Sequence, residues 1–249
     1  MLLAIDIGNT NISLGLFKGQ RLRRRYSIAT KRSSSVSQQF KNIFSRNKVN
    51  DVVICSVVPE ETCNLQTALK KFFPKKVRVI GKDIIVPMKN LYRKPSQVGQ
   101  DRLVNAYAGA RLYGNPLIIV DLGTALTFDI ISRNREYLGG MILPGFKISL
   151  DALADRTALL PLVKLKAPRE LIGRSTKSSI LSGMVYGFAV LVDNLVKKIQ
   201  DEIGNDALVV VTGGDINLIK KYCYELERVD PDLTLKGLNL LGQIYISRK

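Results

Sequence analysis

The 249-residue sequence contains no histidine and no tryptophan. Without an imidazole, the usual general base and nitrogen metal ligand are both missing. Catalysis must then rest on carboxylates, Lys, Arg, hydroxyls, thiols or bound ions. Cysteine is scarce: Cys55, Cys63 and Cys223 are an odd number with no short metal-binding spacing. They read as reduced, structural thiols of a cytosolic protein. No basic stretch precedes the first apolar run, which meets Asp6 almost at once. Neither a secretory signal nor a membrane span is expected, and the expected location is the cytoplasm. Acidic residues are few, 21 Asp and Glu against 38 Lys and Arg, for a net charge of +17. Such a field attracts anions, nucleotides and nucleic acid among them. The basic runs (Arg21-Leu22-Arg23-Arg24-Arg25, Lys70-Lys71 with Lys75-Lys76, Lys197-Lys198) are scattered and carry no interleaved stacking aromatics. They read as a soluble basic surface, and nucleic acid is not the expected partner.

What the chain does contain is one short phrase written twice. Leu2-Leu3-Ala4-Ile5-Asp6-Ile7-Gly8-Asn9-Thr10 and Leu117-Ile118-Ile119-Val120-Asp121-Leu122-Gly123-Thr124-Ala125 are each an apolar run, an Asp, any residue, a Gly and a small polar residue. An unbroken Leu/Ile/Val run suits a strand buried on both faces. The Asp at its end leaves the core. The Gly lets the backbone bend and approach a ligand that a Cβ would exclude. Exposed turn N–H groups and the small polar residue then offer donors to a phosphate. One copy is compatible with an ordinary strand-ending turn; two copies about half a chain apart point to an internal duplication. The expectation is an α/β protein of two related domains, 1–114 and 115–249, with the two turns facing each other across a cleft that holds a polyphosphate and its metal ion.

Periodicity supports this division. Strands are expected at 2–7, Asn11 to Phe17, Arg21 to Ile28, Asp51 to Val57 and Val77 to Ile80, the first three as an antiparallel meander. Helices are expected at Ser33 to Asn47, Glu60 to Phe73 and Asp101 to Tyr113. The second half repeats the scheme, with strands at 117–121, Leu126 to Ile131, Glu136 to Met141 and Leu208 to Val211. Its helices are expected at Ile148 to Leu159, Ser182 to Ile203 with Gly204 as cap, near Asn217, and in the stretch Leu235 to Tyr245.

Read in order, Asp-Ile-Gly-Asn-Thr-Asn, Gly-Gln-Asp-Arg, Asp-Leu-Gly-Thr-Ala-Leu-Thr-Phe-Asp, Gly-Gly-Met-Ile-Leu-Pro-Gly and Thr-Gly-Gly-Asp resemble the type III pantothenate kinases. The resemblance spans essentially the whole chain. The strand–Asp–Gly element alone would indicate only the broader sugar-kinase, Hsp70 and actin superfamily. The resemblance implies two ribonuclease H-like domains with ATP between them. It also implies ATP-dependent phosphorylation of pantothenate, the opening step of coenzyme A synthesis.

Roles follow by matching positions. Asp6, Ile7, Gly8, Asn9, Thr10, Asn11, Ile12 and Ser13 match the first phosphate motif, with Asp6 holding magnesium through water. Turn stabilisation is the alternative for Thr10 and Asn11. Asp101 matches the catalytic acid–base, with helix capping as the alternative. Gly99, Gln100, Asp101 and Arg102 match the pantothenate-binding segment, in which Arg102 offers a fork of donors to an anion or is merely a solvated helix residue. Relatives commonly carry Ala where Gln100 stands. Tyr92 and Thr176 match further substrate contacts; a core-edge Tyr and a helix cap are the alternatives. Asp121 matches a site for a monovalent cation, potassium or ammonium. Thr124, Gly213 and Gly214 match ATP contacts. The family is dimeric, and helix 182–203 is the candidate interface, a wholly internal helix being the alternative. A non-catalytic relative acting as a regulatory or nucleic-acid-associated factor is the competing function. It would have no physical reason to keep Asp6, Asp101, Asp121 and Thr124 together.

Overall fold

Leu2–Ile7 forms β1, buried at every position except Asp6. The computed structural model describes residues 1–30, 48–70, 73 and 77–247; the helix expected over Ser33 to Asn47 lies outside them. β2 (Asn11–Lys18) returns antiparallel to β1, and β3 (Arg21–Ala29) pairs antiparallel with β2. β4 (Asp51–Ser56) lies parallel on the other side of β1, followed by helix α1 (Pro59–Lys70) and β5 (Val77–Val79), which runs parallel to β4. The sheet order is therefore β3-β2-β1-β4-β5.

Alternation along these strands makes two cores. Leu3, Ile5, Ile7, Val52 and Ile54 face one side with Leu65 and Leu69 of α1. Leu2, Ala4, Val53 and Cys55 face the other, against Val104 and Tyr107 of helix α2 (Gln100–Leu112) and Leu235, Leu238 and Leu241 of the C-terminal helix Leu233–Ser247. Two glycines let that last helix dock closely. A Cβ at Gly242 would stand 2.5 Å from Leu2 Cδ1, and one at Gly237 would stand 2.9 Å from the Val104 carbonyl oxygen.

The second sheet is built the same way. β6 (Leu117–Leu122), β7 (Ala125–Ile131) and β8 (Tyr137–Pro144) form an antiparallel meander. β9 (Leu208–Thr212) lies parallel to β6, and β10 (Arg228–Val229) parallel to β9. The order β10-β9-β6-β7-β8 matches the first sheet strand for strand. The register repeats as well: Asp6 pairs with Ser13 and Cys55, and Asp121 pairs with Thr127 and Thr212. The duplication read from the repeated phrase is thus present in the topology. A core of Ile118, Val120, Phe128, Val209 and Val211 packs on Phe146 of α3 (Phe146–Asp155), on α4 (Thr176–Ile203) and on Ile216 and Ile219 of α5 (Ile216–Ile219).

Two helix ends and the domain division differ most from expectation. α4 begins at Thr176 rather than Ser182. Ser175 caps it, accepting from the Ser178 N–H (3.2 Å) while Ser178 Oγ accepts from the Ser175 N–H (2.9 Å). That is a capping box with Ser in place of the usual Glu or Gln. α3 ends at Asp155 rather than Leu159 because Thr157 Oγ1 donates to the Leu153 carbonyl (2.7 Å) and accepts from the Leu160 N–H. Finally, the chain divides as Met1–Met88, Arg93–Arg111 and Asp232–Lys249 in one unit, and Lys89–Tyr92 and Leu112–Pro231 in the other. The C-terminal helix thus returns to the first sheet, and Lys89–Tyr92 joins the second, which a single cut near Gly114 does not anticipate.

Among the described residues, α4 is the one helix with the length and apolarity of a membrane span. Yet Val185, Val192, Val196 and Ile199 fill its own unit's core, with Met184, Phe188, Leu191 and Leu195 packed against it. Most of the stripe singled out as a candidate interface is therefore internal; Val190 stays 59% exposed.

If the C-terminal helix completes the first core, Leu238→Ala, at a fully buried site, lowers unfolding stability by about 2–5 kcal/mol in urea titration. A loss below about 0.5 kcal/mol, the range of surface changes, would show that the helix does not.

Candidate active site

In the first unit, the end of β1 is shaped by its turn. The Gly8 N–H donates to the Asn11 carbonyl (3.0 Å), and a Cβ at Gly8 would sit 3.2 Å from that oxygen. Thr30 clamps the same turn: its hydroxyl donates to the Gly8 carbonyl (2.7 Å) and its N–H to the Thr10 carbonyl (2.9 Å). Asn9, Thr10 and Asn11 are exposed, Ile7 and Ile12 are buried beneath them, and Asp6 and Ser13 are half-buried. An anchored turn with exposed amides is suited to an anion. Nothing in the sequence marked Thr30, which reaches the turn only through the β2–β3 register.

Asp101 sits in the first turn of α2, and its Oδ1 accepts from the Arg102 N–H (2.9 Å). A Cβ at Gly99 would stand 2.5 Å from that oxygen, so glycine leaves the carboxylate its position. Burial raises Asp101 above the ordinary carboxylate range, opposed by the Arg102 N–H and the Arg102 charge. Arg102 is only 8% exposed, so the reading as a solvated helix residue is wrong; a guanidinium this buried is held by what surrounds it. Gln100 turns onto Gly81, whose φ of +82° and lack of a Cβ make room for the amide: a Cβ there would be 2.8 Å from Gln100 Cδ.

Cys55 stands opposite Asp6 in the sheet, where β4 pairs with β1, and is fully buried. Its thiol is pushed up first by burial, then by the charges of Asp6 and Asp101. A buried thiol with this preference stays neutral, as its structural reading required. What the sequence did not reveal is that it lies within electrostatic reach of both acids, because the parallel pairing that brings it there leaves no local pattern.

In the second unit, Asp121 is half-buried and Thr124 exposed at the equivalent turn. The Gly123 N–H donates to the Ala125 carbonyl (3.0 Å), and the Gly145 N–H to the Thr124 carbonyl (3.1 Å). The Pro144-Gly145 bend thereby supports this turn. Gly213 has φ +101°, and a Cβ on it would overlap the Leu122 carbonyl. Thr212-Gly213 is thus seated on the end of β6, while the space around Gly214 is open. Asp215, half-buried at the start of α5, is raised by burial. Thr176 is the exposed first residue of α4 and is not its cap, which is Ser175. A cavity of about 630 Å³ lies beside it, lined by Leu162, Leu181, Lys164, Lys166, Arg169 and Lys177 among others. Tyr92 is half-buried against Tyr137.

The structure therefore groups Asp6–Ser13 with Gly99–Arg102 in one unit. Asp121, Thr124, Gly213, Gly214, Tyr92 and Thr176 belong to the other.

Two sheets of identical order, each ending its first strand in an Asp-x-Gly turn, define the actin, Hsp70 and sugar-kinase class of fold. Solved structures share it at low identity. One is a putative Baf family transcriptional activator from Campylobacter jejuni (TM-score 0.63, 19% identity, 98% of this chain and 99% of that one). Another is a putative 2-dehydro-3-deoxygalactonokinase from Sinorhizobium meliloti (TM-score 0.59, 11% identity, 98% and 99%). At such identities the likeness concerns the fold alone. The family is decided by sequence: the type III pantothenate kinase model matches residues 2–198. The curated type III pantothenate kinases of Moorella thermoacetica and Agathobacter rectalis are 41% and 38% identical, each over 97% of this chain and 98% and 96% of the relative. The chain belongs to the type III pantothenate kinase family, whose activity is the phosphorylation of pantothenate in coenzyme A biosynthesis.

Because burial raises Asp101, the folded chain holds its proton more tightly than the unfolded chain does. The stability this contributes is complete below the unfolded carboxylate value of about 3.9 and is lost as pH rises through the raised folded value. Asp101→Asn removes that loss. Its thermal midpoint should exceed that of the unaltered chain at pH 7, and the gap should narrow as the pH is lowered toward 4. A gap independent of pH would contradict the assignment.

Proposed function

We propose that this chain transfers the γ-phosphoryl group of ATP to the primary hydroxyl of pantothenate, with Asp101 as the base. One observation supports this above the others: the strand-end acid Asp6 and the helix-start acid Asp101 both act on the same buried thiol, Cys55. A phosphate turn and a raised carboxylate thus belong to one unit, and Cys55, paired with Asp6 across the sheet, feels the charge of both acids.

The chemistry asks little of the base. Phosphoryl transfer through a loose transition state depends on alignment and charge neutralisation. Asp101, raised by its burial, accepts the hydroxyl proton more readily than an ordinary carboxylate would. Arg102 donates its guanidinium fork to the pantothenate carboxylate or a phosphate. Gly99 keeps the base in place, and Gln100, folded onto Gly81, belongs to the segment assigned to pantothenate. The turn Gly8–Ser13 presents N–H and side-chain donors to the phosphates.

Asp6 fits a hydrated magnesium ion. It is a single half-buried acid beside an exposed turn, and among the described residues no three acidic or thiol side chains gather into a metal cage. Magnesium is commonly held by one or two carboxylates with phosphates and water. That ion, when bound with ATP, supplies charge neutralisation at the transferring phosphoryl. In the second unit, Asp121 is assigned to potassium or ammonium; a carboxylate among turn carbonyls is a hard oxygen donor set. Thr124, Gly213 and Gly214 are assigned to ATP, and Tyr92 and Thr176 to pantothenate. The protein works in the cytoplasm as a homodimer, using the face of α4 that its core leaves outside, at Gly183, Gly187 and Val190.

A coupled ADP-release assay tests the assignment. Release should require pantothenate and rise with potassium. Asp101→Asn, still folded, should lower kcat by about 10²–10⁴-fold. The acid limb of the pH–rate profile should lie above about 3.9, following the raised Asp101. ATP turnover with a different alcohol, or none with pantothenate and either cation, would refute it.

A further inference from the structure

We infer that Asp129 and Tyr137 are positioning residues that hold Tyr92 in place for pantothenate. This rests on the reading of Tyr92 as a substrate contact and extends it to the residues that set its geometry.

Asp129 is fully buried in the middle of β7. A carboxylate in an interior is costly unless its partners hold it. The duplicated sheet shows that the fold does not require one here. Asp129 pairs with Ile119, and the corresponding pair in the first sheet is Gly15 with Ala4, where no side chain exists at all. One partner in the second sheet is Tyr137, itself fully buried, whose hydroxyl donates to Asp129 Oδ1 at 2.8 Å.

Tyr137 in turn organises the segment that carries Tyr92. Its N–H donates to the Lys89 carbonyl (2.8 Å), and its carbonyl accepts from the Leu91 N–H (2.9 Å). Lys89–Tyr92 is thereby held against the start of β8 by an isolated parallel bridge between Asn90 and Tyr137. Lys89 Nζ meets Glu136 Oε1 at 2.6 Å, and the Tyr92 N–H donates to Asn90 Oδ1 (2.9 Å). The Tyr92 ring then rests on the Tyr137 ring, centroids 6.4 Å apart and tilted by 43°. It also lies over Gly139, where φ is +136° and a Cβ would come within 3.5 Å of the ring. Rings in this arrangement attract by edge and face. The Asp129–Tyr137 hydrogen bond fixes the surface on which Tyr92 sits.

Steady-state kinetics on the full chain decide the matter. Tyr137→Phe keeps the ring and removes the hydroxyl. It should raise the pantothenate KM roughly tenfold, the size expected when a buried acceptor loses a hydrogen-bond donor, with kcat and the ATP KM nearly unchanged. Asp129→Asn keeps an acceptor and should stay near the unaltered KM. In a Tyr92→Ala background, Tyr137→Phe should add nothing further. If Tyr92→Ala raises the pantothenate KM but Tyr137→Phe does not, the positioning role is wrong and the substrate role of Tyr92 stands. If Tyr92→Ala leaves that KM unchanged, the substrate role fails and the positioning role with it. Because Tyr137→Phe is the gentle change, these outcomes do not depend on whether Asp129→Asn folds.

Discussion

The pairing of β1 with β4 governs the first unit. β1 is central, buried on both faces, and bonded antiparallel to β2 and parallel to β4. Only at its C-terminal end does a polar residue leave the core, and there the parallel register brings Cys55 opposite Asp6. α2, packed on the same side as Cys55 through Val104 and Tyr107, delivers Asp101 to the same neighbourhood. Cys55 is fully buried, and the charges of Asp6 and Asp101 add to burial in pushing its thiol up. A thiol in that setting stays neutral. Burial raises the cost of ionising Asp101, and the N–H and guanidinium of Arg102 offset part of it.

The second unit reuses the frame with different contents. Thr212 stands at the register position of Cys55, and Asp129 at that of Gly15. Its turn is shorter, with three residues between the paired Leu122 and Leu126 against four between Ile7 and Ile12. The first turn is clamped by Thr30 and the second by Gly145. Duplication preserved the strand order and the strand-end acid, while the supporting residues diverged.

How far the sequence revealed this can be judged residue by residue. The repeated Asp-x-Gly phrase was enough to anticipate two related sheets, because an apolar run that is buried on both faces is visible locally. The strand limits agreed to within a few residues for the same reason. Contacts made by register were not visible: Cys55 beside Asp6, Thr30 on the Gly8 turn, and Lys89–Tyr92 held against the start of β8 through main-chain bonds that any residue makes. The start of α4 was missed because Ser178 performs the capping role that Glu or Gln usually marks. The C-terminal helix showed an apolar face, but an apolar face does not say which sheet it covers; Gly237 and Gly242 decide that by the closeness they allow. The burial of Arg102 was hidden for a similar reason, since its charge suggests solvent while the packing of α2 encloses it.

The central claim is that Asp6 and Asp101 act as one unit around Cys55. A double-mutant cycle on kcat/KM for pantothenate phosphorylation, with Asp6→Asn, Asp101→Asn and the pair, tests it most directly. Groups acting as a unit are strongly non-additive, so the double variant should be little worse than the poorer single one. Losses that multiply would show two independent contributions and contradict the account.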